Sequence, residues 1–184
     1  MKTPTDILRE EHVVILRALA VLESATARLA RGAALPDGWW AELIEWLRAF
    51  ADRNHHAKEE RALFPAMARA GVPAGSGGPI GVMLEEHVEG RALVQAMAAG
   101  GPGERAVAAR KYIELLRNHI DKENGVLFPL ADAVLEDDAR RALGREFETA
   151  GDELGYLASI PYAEAVVEGL AAALAGAAEA SASR

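Results

Sequence analysis

Two stretches of the chain carry the same potential ligands at the same spacing. Residues 55–65 read His-His-Ala-Lys-Glu-Glu-Arg-Ala-Leu-Phe-Pro, and residues 119–129 read His-Ile-Asp-Lys-Glu-Asn-Gly-Val-Leu-Phe-Pro. Aligned on Leu-Phe-Pro, both are His-x-x-Lys-Glu-x-x-x-Leu-Phe-Pro. Upstream of each lies Glu-Glu-His-Val, at 10–13 and at 85–88. The chain is therefore a tandem of two units, each offering one histidine and then His-x-x-x-Glu. Residues four apart lie on one helix face, one turn apart, so His55 pairs with Glu59 and His119 with Glu123. The same faces carry apolar residues: Leu47 and Ala51 before His55, Leu115 before His119, Leu8 and Ile15 around His12, Met83 and Val94 around His87. Four imidazoles and two carboxylates thus point into one interior. Two buried carboxylates without partners would cost several kcal/mol each, and cations at the centre offset that cost.

The donor set narrows the metal. Six protein ligands exceed one tetrahedral zinc. Calcium and magnesium prefer all-oxygen shells. Imidazole with carboxylate suits iron, with manganese or a mixed iron–manganese pair less favoured. The arrangement expected is two metals, His12 and His55 on one, His87 and His119 on the other, with Glu59 and Glu123 bridging. The Glu-x-x-His pattern of ferritin-type sites is absent, since Arg9, Leu84 and Leu116 stand three before His12, His87 and His119. His56 and Glu60 are also four apart. But His56 follows Asp52 and Arg48 on a polar face, so it is expected beside the ligands or at the surface. Lys58 and Lys122 are expected to point to solvent.

Helices must position these groups. Ala, Leu, Arg and Glu dominate, and alternating β-branched runs closed by tight turns are missing. Breaks at 32–38, 71–79 and 100–103 delimit helical segments at roughly 5–31, 38–70, 80–99 and 103–136. The fold expected is all-α, an up-down antiparallel four-helix bundle over residues 1–136. A C-terminal helical extension, 137–184, is expected to pack on it through Val166, Val167, Leu170 and Leu174. Pro65 and Pro129 fall inside helical patterns. A kink is expected at Pro129, and a kink or a helix end at Pro65.

The 184 residues carry 20 basic and 28 acidic groups, a formal net charge of −8. An acidic chain without a basic block is a poor partner for nucleic acid or an anionic membrane surface. Cysteine is absent, which removes zinc fingers, iron–sulfur clusters and thiol chemistry. The N-terminus lacks a secretory pattern, and Ala163–Ala178, with Glu164 and Glu168, reads as too short and too charged to span a bilayer. A cytoplasmic location is expected.

The chain resembles the hemerythrin-like (HHE cation-binding) family. The residues that carry the likeness are Glu-Glu-His12, His55-x-x-x-Glu59 with Leu63-Phe64-Pro65, His87, and His119-x-x-x-Glu123 with Leu127-Phe128-Pro129. The resemblance covers about residues 5–136. It implies a non-haem di-iron centre (Fe2+/Fe3+, oxo- or hydroxo-bridged) that meets oxygen, peroxide or nitric oxide, in an oxygen-binding or oxidative-stress role. Oxygen carriers of the family hold a second histidine one turn after the one on the third helix, where this chain has Arg91. They also hold an aspartate where this chain has Asn124. The four-His, two-Glu set is similar to di-iron proteins of iron-centre repair, whose cysteine-bearing N-terminal region has no counterpart in these residues. With Arg91 in place of a histidine, both irons are expected to keep an open position, which favours reaction over reversible carriage. The expected partner is a small molecule. Enzymatic turnover of peroxide, nitric oxide or an organic substrate stays open, as does a role as an iron or redox sensor. Tyr112, two turns before His119, is a candidate neighbour of the centre.

Overall fold

The computed structural model describes residues 2–182, with side chains described through residue 178. Helix α1 is Pro4–Ala30, α2 spans 39–69, α3 is Pro79–Ala99, α4 spans 102–134, α5 is Asp137–Leu154 and α6 is Ile160–Ala182. The helices start where the chemistry of helix ends dictates. Thr3 accepts from the Asp6 amide while the Asp6 carboxylate accepts from the Thr3 amide, and Pro4 occupies the first turn, where no amide donor is required. Pro79 and Pro102 open α3 and α4 in the same way. Gly38, in the left-handed region at φ 75°, turns the chain into α2.

Each of the first four helices contributes to two apolar clusters, and the order alternates. Along α1 the chain runs from Leu8 in one cluster to Ile15, Leu19 and Leu22 in the other. Along α2 it returns, from Leu43, Leu47 and Phe50 to Leu63 and Met67. In α3 it passes from Ile80 and Met83 to Val94 and Met97, and in α4 from Tyr112 and Leu116 to Leu127 and Phe128. That alternation is the up-down antiparallel bundle. On every helix the histidine falls at the changeover: His12 between Leu8 and Ile15, His55 between Ala51 and Leu63, His87 between Met83 and Val94, His119 between Leu116 and Leu127. A polar layer thus lies between two dry ones.

The last two helices extend the two clusters. Leu143 and Phe147 of α5 join the cluster of Leu63 and Phe128. Ala163, Val167, Leu170 and Leu174 of α6 join the other. Three indoles tie this end together: Trp39 and Trp46 donate to the carbonyls of Leu170 (2.8 Å) and Ala163 (3.1 Å), and Trp40 to that of Met97 (2.8 Å). A stretch within Asp137–Ala178, of mean hydropathy 1.3, is long and apolar enough to cross a membrane by length and composition alone. That differs from the sequence expectation, although its apolar stripe is the part that packs on α1 and α2.

Neither proline ends its helix. Glu59–Leu63 and Glu123–Leu127 are π-helical, the amides of Phe64 and Phe128 donating five residues back to Glu59 and Glu123. In a regular α-helix the rings of Pro65 and Pro129 would meet the carbonyls four residues before them. The wider turn relieves that clash, and the helices run on to Arg69 and Val134.

Candidate metal centre

His12, His55, His87, His119, Glu59 and Glu123 are brought together, all essentially inaccessible to solvent. Glu59 divides its oxygens between the two halves: Oε1 lies 3.6 Å from His55 Nε2 and Oε2 3.5 Å from His87 Nε2. Glu123 Oε2 sits 3.2 Å from His12 Nε2 and 3.3 Å from His119 Nε2. The Nε2 atoms of His87 and His119 face each other at 3.0 Å.

The outward nitrogens decide what the inward ones are. Nδ1 of His12 meets Asn124 Oδ1 (2.9 Å), and Nδ1 of His55 meets Glu11 Oε2 (2.9 Å). Nδ1 of His87 meets Glu60 Oε1 (2.7 Å), and Nδ1 of His119 meets Glu86 Oε2 (2.9 Å). These oxygens accept, so each Nδ1 donates, and in the neutral ring Nε2 is left as a bare lone pair aimed inward. Nε2 of His12 and of His55 and all four oxygens of Glu59 and Glu123 are buried without a hydrogen-bond partner. Such an arrangement of lone pairs and carboxylates is strongly unfavourable unless positive charge occupies the middle.

Titration follows the same geometry. Burial and the neighbouring Glu123 charge push Glu59 well above the usual carboxylate range. Burial opposes ionisation of Glu123 too, but His119 and His12 outweigh it and hold that carboxyl low. Burial pulls His119 down, yet Glu123 and Glu86 prevail and raise it to about 9. His55 is lowered to about 4, by burial and by His12 beside it.

Several supporting residues escape a reading of periodicity alone. Glu11 is buried and accepts from His55, Asn54 Nδ2 (2.9 Å) and Lys58. Glu86 accepts from His119 and Lys122. Lys58 and Lys122 are therefore not idle solvent-facing groups. Each holds the carboxylate that orients the histidine three residues before it. The signal was in the tandem, because Glu11 and Glu86, Lys58 and Lys122 repeat with the ligands. Arg91 binds Asp52 (2.8 Å) and Glu60 (2.7 Å), so it steadies the acceptor of His87. Tyr112 is buried against Gly90, and both line a cavity of about 370 Å³ with Asp52, His56 and Arg91.

His56 is not at the surface. It is buried and stacks on His87 at 4.0 Å between ring centroids. The expectation of a polar face assumed about 3.6 residues per turn. Leu47–His56 is instead π-helical, which turns less per residue and keeps His55 and His56 both inside. Among the described residues, two groups of donors suited to a cation result, His12, His55, Glu59 and Glu123, and His56, Glu59, His87 and His119.

Known proteins share these features. The family described as the hemerythrin HHE cation binding domain matches residues 3–131. The iron-sulfur cluster repair protein YtfE of Cronobacter sakazakii (strain ATCC BAA-894) is 36% identical over 90 residues, covering 42% of this chain and 40% of that protein. The chain thus spans well under two thirds of this curated relative. No solved structure matches the chain significantly.

Proposed function

This chain belongs to the hemerythrin HHE cation-binding family, and from that premise we propose that it holds a non-haem di-iron centre that binds and reacts with small oxidants: oxygen, peroxide or nitric oxide. In this reading His12 and His55 hold one iron, His87 and His119 the other, and Glu59 and Glu123 bridge them. The observation that carries it is Glu59, buried and unpartnered, with one oxygen toward His55 and the other toward His87. When bound, an iron pair supplies redox-active positions at which a small ligand can exchange electrons.

The chain's own residues do the rest. Asn124, Glu11, Glu60 and Glu86 fix the imidazole tautomers and present Nε2 inward. Phe128 stacks on His12 (5.3 Å) and Phe64 on His87 (5.9 Å), keeping water from one side of each ring. Burial and the Glu123 charge favour the protonated form of Glu59, whereas metal binding requires the carboxylate, so metal uptake competes with protons at this residue. The test is iron analysis of the full chain with absorption spectra under oxygen, peroxide and nitric oxide. Two irons per chain and spectra that change with an oxidant are expected. Failure to take up iron would end the reading. A second reading, an iron-handling protein serving the repair of iron–sulfur clusters, is favoured by the likeness to the YtfE relative. Restoration of a damaged cluster protein by the iron-loaded chain, and not by His55→Ala, would select it.

A further inference from the structure

The two units differ beside the ligands, and three of the differences concentrate polar groups on one side of the centre. In the alignment that pairs His55 with His119, His56 pairs with Ile120 and Asp52 with Leu116. In the alignment that pairs His12 with His87, Arg91 pairs with Leu16. Where one unit places Leu116 and Ile120 in the apolar core, the other places an acid and a histidine. Their local order matches that of the other histidines. His56 Nδ1 faces Asp52 Oδ1 at 3.6 Å, and Asp52 is held by the Arg91 guanidinium at 2.8 Å. A carboxylate thus stands behind His56 as one stands behind His55, His87 and His119.

His56 is buried, and both its ring nitrogens lack a hydrogen-bond partner. An imidazole kept from water with no partner is costly, and a cation is the partner within reach. The ring stacks on His87 and lies 5.8 Å, edge to face, from His119. One donor atom from each of His56, Glu59, His87 and His119 lies within 4.8 Å of the others. That approaches the span of a single coordination sphere, about 4 Å across for bonds of about 2.1 Å.

We propose that His56 is a fifth histidine ligand, binding the cation shared by His87 and His119, with Asp52 and Arg91 as its support. The centre is then unequal. Three histidines surround one metal and two the other, so the metal held by His12 and His55 keeps the more open shell for a small molecule. This deepens, and rests on, the two-metal reading above.

The experiment loads the full chain with cobalt(II) and counts the hyperfine-shifted, exchangeable ring N–H resonances, one for each bound histidine. Wild type should take up two cobalt ions and show five such signals. His56→Gln and His56→Phe should each show four and bind the second cobalt at least about tenfold more weakly. The phenylalanine keeps the stack on His87 but has no nitrogen, so it separates ligation from packing. Four signals in wild type, or a His56→Phe protein that keeps the wild-type spectrum and affinity, would overturn the assignment while leaving two metals in place. Uptake of fewer than two cobalt ions by wild type would instead overturn the two-metal reading, and this inference with it. If neither variant folds by circular dichroism, the wild-type count decides.

Discussion

Replacing Glu11 by alanine removes, in one step, the acceptor for His55 Nδ1, Asn54 Nδ2 and Lys58. The Glu11 and Lys58 side chains are 2% and 5% exposed. The ammonium of Lys58 would be left buried and unpaired, a loss of about 3–5 kcal/mol. The corresponding change in the other unit, Glu86→Ala, breaks the same contacts to His119 and Lys122. There the side chains are 18% and 42% exposed, so water replaces the lost partner and the loss is about 1 kcal/mol or less. In a chain of this length about 2–4 °C of melting temperature accompanies each kcal/mol. Thermal melts of the metal-free proteins should therefore fall by roughly 6–20 °C for Glu11→Ala and by at most about 4 °C for Glu86→Ala. Metal affinity should fall about 10–100-fold in both, since each loses the group that orients one histidine. Adding Lys58→Met to Glu11→Ala should recover much of the stability, because no unpaired charge remains. Equal melting shifts in the two single variants, or no recovery in the double, would refute the reasoning.

His55→Ala or Glu123→Ala should abolish binding of most of the metal, measured by iron content after desalting, because each removes a donor from the group formed by His12, His55, Glu59 and Glu123. In the metal-free protein, His119 carries a pKa raised from 6.5 to about 9, so its stabilisation is complete below pH 6.5 and is lost as pH rises through about 9. His55, lowered to about 4, acts in the opposite sense, and its contribution is lost as pH falls from 6.5 toward 4. Melting temperature against pH should show both limbs, with His119→Gln flattening the alkaline one. Removing residues 160–184 uncovers the partners of Val167, Leu170 and Leu174 and frees the Trp39 and Trp46 indoles. Burial of that stripe is worth on the order of 5 kcal/mol, so the truncated chain should melt at least about 10 °C lower, with red-shifted tryptophan emission.

Much of this was legible from the linear order of residues. The helix limits follow from Pro, Gly and Thr at the breaks. The inward position of His12, His87 and His119 follows from the apolar residues three and four away, because a regular helix repeats its faces. The duplicated His-x-x-x-Glu placed Glu59 and Glu123 without any fold. That reasoning slipped at His56, where the helix leaves its regular period: the π-helical run Leu47–His56 carries it into the bundle. The continuation of the helix through Pro129 was legible in the apolar pattern after it, and the π turns before Pro65 and Pro129 are what let both helices continue.

The remaining difference is between local and distant partners. Spacing along one helix specifies which side chains share a face, and that belongs to the sequence. It does not specify which residue on another helix stands behind each ring. That Glu11 rather than Glu10 meets His55, that Asn124 reaches His12, and that Lys58 is buried while Lys122 is half open were decided only when four helices packed at one depth. Donor types are written in the chain. Their desolvation and their mutual charge arise from the packed layer, where two carboxylates and at least four imidazoles are held together out of water.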